Sequence, residues 1–281
     1  MLVHYFQPNP ALREYVRLFQ IVHFVFDDSV VLPVKPYWPR PEHCLAFYTR
    51  HTETVRYVGN DTPLQKPRSA LIGQPSIVTN RHVGREFLLF QVVFQPGALF
   101  RLTGLPVQEL TNQFIDAEAL WGPEIRLVNE RLNSTNNYTD MTAIVELFIR
   151  VLIDTRSSRQ SRYSIRPIDK VSQFMLTNPT PVSLDWLASQ ACLSTRQFYE
   201  RFVERLGISP KLYSRIIRFD NAMKISNAQP GKDWLSIALE VGYHDYQHMA
   251  RDFKEFTTLT PAEFSKQESQ APERAFGIIE T

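Results

Sequence analysis

Cysteine is scarce in this chain: among 281 residues only Cys44 and Cys192 occur. Two thiols so far apart in sequence give neither a disulfide framework nor a cysteine-built zinc site, and they suit a reducing compartment. Long apolar runs are missing as well, so no segment is a candidate membrane span. The first residues, MLVHYFQPNPALREY, lack the basic stretch and apolar core of a secretory signal. The expectation is a cytoplasmic protein with no membrane partner. Charge of one sign is also lacking. The whole chain has 31 Lys and Arg against 29 Asp and Glu, and residues 164–268 hold 13 against 12. A nucleic-acid binder usually shows a basic stripe, so here positive charge would have to be gathered by placement. The sequence contains no His-x-His pair, no Ser/His/Asp elbow and no glycine-rich phosphate loop.

What is present is ample material for cores, with 43% hydrophobic and 12% aromatic residues. The first hundred residues read as short strands: Ile21–Phe26, Cys44–Thr49, Thr54–Gly59, Ser69–Gly73 and Glu86–Phe94. Each is β-branched or aromatic and is bounded by Pro, Asn, Asp or Gly, as in a small antiparallel barrel or sandwich. Pro33, Pro36, Pro39 and Pro41 argue against a long helix there. After a turn at Pro96-Gly97 the texture becomes helical. Gly122–Asn133 carries Ile125, Val128 and Leu132 at helical spacing, and Asp140–Asp154 places Ile144, Leu147, Phe148, Val151 and Leu152 on one face. Together they predict an antiparallel helical hairpin.

Residues 156–164, rich in serine and arginine, read as a linker between residues 1–155 and a helical region at 165–268. Residues 269–281 carry no motif and read as a tail. Helix starts in the second region are well marked. Ser194 with Gln197 and Thr260 with Glu263 have capping-box form. Ser209-Pro210 and Thr260-Pro261 join a cap to a proline at the first helical position, and Ser183 and Asp233 are further caps. A long helix, roughly Pro210 to Asn227, lines up Leu212, Ile216, Phe219 and Met223.

Within this region two segments share one pattern, LASQACLSTRQFYERF from Leu187 and IALEVGYHDYQHMARDFK from Ile237. Each has a small apolar residue, Ala188 or Ala238, then a turn position four residues on, Cys192 or Gly242, then a helix start at Ser194 or Asp245. The alanine lets two helices cross closely, and the turn reverses the chain in a few residues. These are helix-turn-helix signatures, and the two alanines lie 50 residues apart, inside one compact domain.

The arrangement resembles the C-terminal DNA-binding domain of AraC/XylS-type transcriptional regulators. The matching residues are Leu187-Ala188, Leu193-Ser194, Phe198, Phe202, Leu206-Gly207, Ser209-Pro210, Tyr213 and Arg218 in the first half. In the second they are Ile237-Ala238, Gly242-Tyr243, Phe253-Lys254 and Leu259-Thr260-Pro261. Cys192 departs from a position often held by glycine, and a left-handed turn there would strain it. A second resemblance, over Ala70 to Gly122, is to the N-terminal module of a subgroup of these regulators, a cupin-like domain for sensing or dimerisation. The fold implied is α+β: an N-terminal antiparallel β-barrel with a helical hairpin, then an all-α double helix-turn-helix domain. The function implied is sequence-specific regulation of transcription by reading two adjacent major-groove segments.

In such a unit the second helix enters the major groove and its first turns face the bases. With Phe198 and Phe202 directed inward, Thr195, Arg196, Tyr199 and Glu200 face out. With Met249 and Phe253 inward, Tyr246, Gln247, His248 and Arg251 do the same. Arginine suits guanine, glutamine suits adenine and glutamate suits cytosine, although Glu200 is better read as paired with Arg196 or Arg201. Ser194, Ser209, Lys211, Arg215, Asp245, Lys254 and Thr260 are the candidates for phosphate contacts. Leu187, Leu193, Tyr213, Ile237, Tyr243 and Phe264 read as core.

For the N-terminal half, Tyr37, Trp38, Tyr48 and Arg50 are effector candidates by location alone, against the plainer reading that they fill or cover the barrel. The expected partners are double-stranded DNA, a small-molecule effector, a second copy through the Gly122–Asp154 helices, and RNA polymerase. No cofactor is expected, and no metal: His43, His51 and His82 lie among the strands, but a metal needs at least three converging ligands. Two alternatives stay open. One is a cupin-type metal enzyme fused to a helix-turn-helix domain; the other is an interaction module that has lost DNA binding.

Overall fold

A computed structural model describes residues 2–32, 34–59, 62–157 and 165–269. Ten strands among them form two antiparallel sheets. The larger contains β1 (Leu2–Phe6), β2 (Val16–Val25), β9 (Glu86–Phe94), β4 (Cys44–Tyr48), β7 (Ser69–Ile72) and β10 (Phe114–Asp116), in that order. The smaller contains β3 (Val34–Tyr37), β8 (Thr79–His82), β5 (Thr54–Tyr57) and β6 (Leu64–Gln65). All five expected strands are present. Among the described residues the antiparallel sheets expected of a barrel or sandwich are present, and no ladder joins one sheet to the other. The edges of the smaller sheet explain this. β6 is two residues long, and Pro36 on edge strand β3 offers no N–H to a further neighbour.

β9 is buried along nearly its whole length, because both faces are covered. Leu88, Phe90, Val92 and Phe94 join the main core of this half. Phe87 and Leu89 pack instead with Ala46, Tyr48 and Ala70. Helix α1 (Ala98–Thr103) follows the Pro96-Gly97 turn. Helix α2 (Ala117–Asn133) is broken at Gly122, whose φ of 55° lets Pro123 begin a second helical stretch. It packs against α3 (Tyr138–Ser157) as the expected hairpin. The stripe that α3 buries is Met141, Val145, Phe148 and Ile149. Leu147 and Val151, expected on that stripe, stay 54% and 47% exposed. α3 also runs two residues into the expected linker, whose remaining residues 158–164 lie outside the described residues, as does the tail after Ser269.

The second half is wholly helical: α4 (Pro167–Thr177), α5 (Leu184–Gln190), α6 (Thr195–Leu206), α7 (Pro210–Ala228), α8 (Trp234–Glu240), α9 (Tyr246–Thr257) and α10 (Pro261–Ser269). The starts of α5 to α10 fall at the residues expected for them, whereas α4 begins after Arg166, for which the sequence offered no cap. Ser183, Ser194, Ser209, Asp233 and Asp245 each accept a backbone N–H from the first turn of their helix. Phe198, Phe202, Ile216, Phe219, Ile237, Met249 and Phe253 are fully buried and close one core.

The halves meet at the C-terminal end of α6. His43 Nε2 lies 3.1 Å from the Leu206 carbonyl, and the Thr111 hydroxyl donates to the Gly207 carbonyl at 2.8 Å. Trp38 leaves its own sheets and packs edge-on against Phe264 of α10, 5.2 Å between centroids. Burial pushes the His43 imidazole down to about 4, so it is neutral at physiological pH.

Candidate nucleic-acid interface

The two helix-turn-helix units, α5–α6 and α8–α9, are built alike down to single hydrogen bonds. Leu193 N–H donates to the Ala188 carbonyl at 3.0 Å, and Tyr243 N–H donates to the Ala238 carbonyl at 2.9 Å. Both turn residues are left-handed, with φ of 55° at Cys192 and 87° at Gly242. Only the second turn demands glycine for space as well, since a Cβ on Gly242 would sit 2.9 Å from Pro181 Cδ. Cys192 is exposed and meets no such wall. The first unit therefore tolerates a side chain at the cost of backbone strain, about 1–2 kcal/mol.

The face of α6 opposite Phe198 and Phe202 is open. The Arg196 side chain is 89% exposed and Glu200 58%, and the two form an ion pair at 2.9 Å. Tyr199 is 49% exposed. Thr195 is less free, for its hydroxyl donates to Asp185 of α5 at 2.8 Å. On α9, Gln247 and Arg251 are exposed, and Arg251 Nε reaches the Gln247 carbonyl at 3.4 Å. Tyr246 is half-buried against the core. His248 is half-buried too, its ring 5.3 Å from Tyr243 and 6.3 Å from His244. Contacts from His43, Phe100 and Thr111 of the N-terminal half fall at the C-terminal end of α6, away from the exposed Arg196, Tyr199 and Glu200.

The phosphate candidates divide into free and engaged groups. Lys211 and Lys254 are exposed at the start of α7 and near the end of α9. Ser194, Ser209 and Thr260 cap their helices. Asp245 accepts the His248 N–H at 2.6 Å, so a carboxylate already occupies that helix N-terminus. Arg215 is clamped: Asp252 accepts from its Nε and Nη2 at 3.0 and 2.7 Å, and Glu255 accepts from Nη1 at 3.1 Å. Burial opposes its charge, but the two carboxylates outweigh it and hold the guanidinium above its ordinary range. Arg215 thereby ties α7 to α9 and fixes the second unit on the connecting helix.

The effector candidates of the first half do not converge on a ligand-sized space. Tyr37 donates to Glu42 at 2.5 Å and lies under the Arg81 guanidinium, and the cavity it lines has a volume of about 30 Å³. That holds a water or two. The Tyr48 hydroxyl donates to Glu53 at 2.8 Å, Trp38 belongs to the core of the other half, and Arg50 is bound by Glu86, Asn133 and Asn136. Sequence reasoning missed the ion-pair cluster they border. Lys66 Nζ and Arg81 Nη1 lie 2.6 and 3.3 Å from Glu53 Oε1. Burial opposes the Glu53 charge, yet Arg81 and Lys66 hold it down at about 2. His43, His51 and His82 do not gather; no group of three potential metal ligands occurs among the described residues.

This geometry defines a class, a domain of two equivalent helix-turn-helix units on one connecting helix. Comparison with known proteins agrees. Residues 187–267 match the family model described as a helix-turn-helix domain, and residues 4–116 match a domain of unknown function, DUF6597. The C-terminal part of this chain therefore carries a helix-turn-helix domain. Over 86 residues the chain is 33% identical to an uncharacterized HTH-type transcriptional regulator of Haemophilus influenzae. That match spans 29% of this chain and 28% of the relative. Among solved structures, ToxT from Vibrio cholerae is similar at 10% identity and a TM-score of 0.48, covering 92% of this chain and 100% of that one. A transcriptional regulator of Chromobacterium violaceum with an AraC-type DNA-binding domain is 26% identical over 37% of this chain and 93% of its own, with a TM-score of 0.34. Among the described residues no helix is long and apolar enough to cross a membrane.

Proposed function

We propose that the chain is a sequence-specific regulator of transcription that reads two successive major-groove segments of duplex DNA with α6 and α9. The observation that carries this reading is the pair of open outward faces, Arg196-Tyr199 and Gln247-Arg251, on two units built alike. Arg196 and Arg251 are the base-reading arginines, Gln247 the adenine reader, and Lys211 and Lys254 the phosphate contacts. Glu200 orients Arg196. Arg215 and Asp245 serve the scaffold that presents these groups.

In this reading residues 1–155 form a cupin-like control module, and 156–164 link it to the DNA-binding domain at 165–268. Leu127, Leu147 and Val151, each about half exposed on the α2–α3 hairpin, support that surface as the contact with a second copy. Regulation through RNA polymerase in the cytoplasm follows from the function, and the reading calls for no catalysis.

The test is a titration of labelled duplexes at several salt concentrations. Affinity should fall steeply and linearly on a log–log plot as phosphate contacts release counterions. In a selection from random duplexes, Arg196→Ala or Arg251→Ala should lose preference at one or two positions. Binding that ignores salt, or a wild-type chain that selects no sequence at all, would overturn this reading.

A further inference from the structure

A cavity of about 480 Å³ opens between the two helix-turn-helix units, in the size range of small-molecule sites. Its wall is apolar. Phe174 of α4, Val182 before α5 and Leu184 at the start of α5 line it, and each is 37% exposed although it is a large hydrophobic side chain. Tyr199 of α6, Lys211 of α7 and His248 of α9 line it too, and all three are among the DNA-contact candidates. The cavity therefore shares side chains with both reading helices.

One lining group is a buried cation. Arg218 of α7 is 7% exposed, and its Nε has no hydrogen-bond partner. Its Nη1 reaches the Gly242 carbonyl only at 3.3 Å, and its guanidinium lies 4.7 Å from the Tyr243 ring centroid. Among the described residues no carboxylate lies within ion-pair distance of it. Asp252, which accepts from the Tyr243 hydroxyl, is also taken up by Arg215. A buried arginine without an anion is costly, and its planar fork matches a carboxylate. Duplex DNA is a poor occupant of this space. Its charged backbone would cover Phe174, Val182 and Leu184 without filling the apolar volume behind them.

We propose that this cavity binds an amphipathic carboxylate, its apolar body against Phe174, Val182 and Leu184 and its carboxylate on Arg218, and that the bound molecule excludes DNA. Exclusion follows because an occupant fixes Tyr199 and His248 and neutralises charge beside Lys211. The exclusion step rests on the DNA-binding reading given above; the binding step does not.

The probe is 4-butylbenzoate, with the neutral 4-butylbenzyl alcohol as its control. Calorimetry on the full chain should give one site per chain for the acid and at least about tenfold weaker binding for the alcohol, the worth of one charge-assisted bidentate contact. Val182→Glu, at an exposed position, should abolish binding of the acid while the chain keeps its thermal transition. Arg218→Met should bring acid and alcohol to equal affinity. In anisotropy with a labelled mixed-sequence duplex at low salt, the benzoate should release DNA from the wild type, and the neutral alcohol at the same concentration should not. Equal binding of acid and alcohol by the wild type overturns the proposal. So does unchanged binding of the acid by Val182→Glu, or a stable complex holding duplex and benzoate together. A chain that binds no duplex even without the benzoate sinks the regulator reading instead, and calorimetry still decides the cavity.

Discussion

Arg205 and Asp169 form a buried bidentate ion pair, Nε to Oδ1 and Nη2 to Oδ2 both at 2.7 Å, that pins α6 to the start of α4. The N-terminal half closes over it. The Phe100 ring lies 4.6 Å beneath the guanidinium, and a Cβ on Gly97 would come within 2.1 Å of Asp169 Oδ1. The first reading helix is thus held at its far end by groups from both halves, and a shift of α1 would be felt there. If the proposed function holds, this contact is a physical route by which the N-terminal half would bias DNA binding.

Asp169→Asn should lower the unfolding free energy of the C-terminal domain by about 3–5 kcal/mol, because it leaves Arg205 charged and buried without its anion. Urea denaturation followed by tryptophan fluorescence measures this. A loss under about 1 kcal/mol, the scale of an exposed pair, would show that water reaches the contact.

His43 sits in the same seam and makes stability depend on pH. Its folded value of about 4 lies below the ordinary 6.5, so between these values the unfolded chain binds more protons than the folded one. Stability should therefore be complete above pH 6.5 and fall as pH drops towards 4, by about 3 kcal/mol in total. His43→Gln, which keeps a donor for the Leu206 carbonyl, should flatten that stretch of the profile. A wild-type profile level between pH 6.5 and 4.5 would mean that the seam opens and hydrates the ring.

Much of the second half could be read from sequence because its signals are local. A cap such as Ser194, a proline at the first helical position and an apolar stripe such as Phe198-Phe202 act within one or two turns, so the starts of α5 to α10 and the core faces were legible. The outward face then followed by elimination. What could not be read is what depends on partners distant in sequence. Arg215 looks like any surface arginine until Asp252 and Glu255, one turn of a different helix, are brought beside it. Trp38 looks like barrel filling until Phe264 arrives from the other end of the chain. On α3 two apolar stripes compete, and periodicity alone cannot say that Val145 and Ile149 go inward while Leu147 and Val151 stay out. The signal for Arg218 was present in Ile216-Ile217-Arg218-Phe219, a charge inside an apolar stretch, but it became specific only once the neighbouring cavity was seen.

The Glu53 cluster gives a prediction of the opposite kind, about polar groups inside the sheets. Glu53→Gln removes the single anion that Lys66 and Arg81 share, and the mutant should lose about 3–5 kcal/mol of stability. Burial and Arg81 already bring Lys66 down to about 8, so without Glu53 it should shed its proton near neutral pH. Adding Lys66→Met should restore part of the loss, since one of the two stranded cations is then gone. Additive losses in the double variant would show that the two side chains do not interact.

Lys211 and Arg215 lie four residues apart on α7, and their different engagement separates contact with DNA from support of the domain. Lys211→Ala should weaken binding to all duplexes alike and reduce the slope of log affinity against log salt by about one, because one counterion-releasing contact is lost. Arg215→Ala should also weaken binding to all duplexes, but with the slope unchanged. Its charge is already neutralised by Asp252 and Glu255, so what is lost is the tie between α7 and α9. It should lower the thermal midpoint as well, whereas Lys211→Ala should leave it within a degree or so of the wild type, as for an exposed residue without a special role. Equal slope changes in both variants would mean that Arg215 leaves its carboxylates on binding and joins the phosphates.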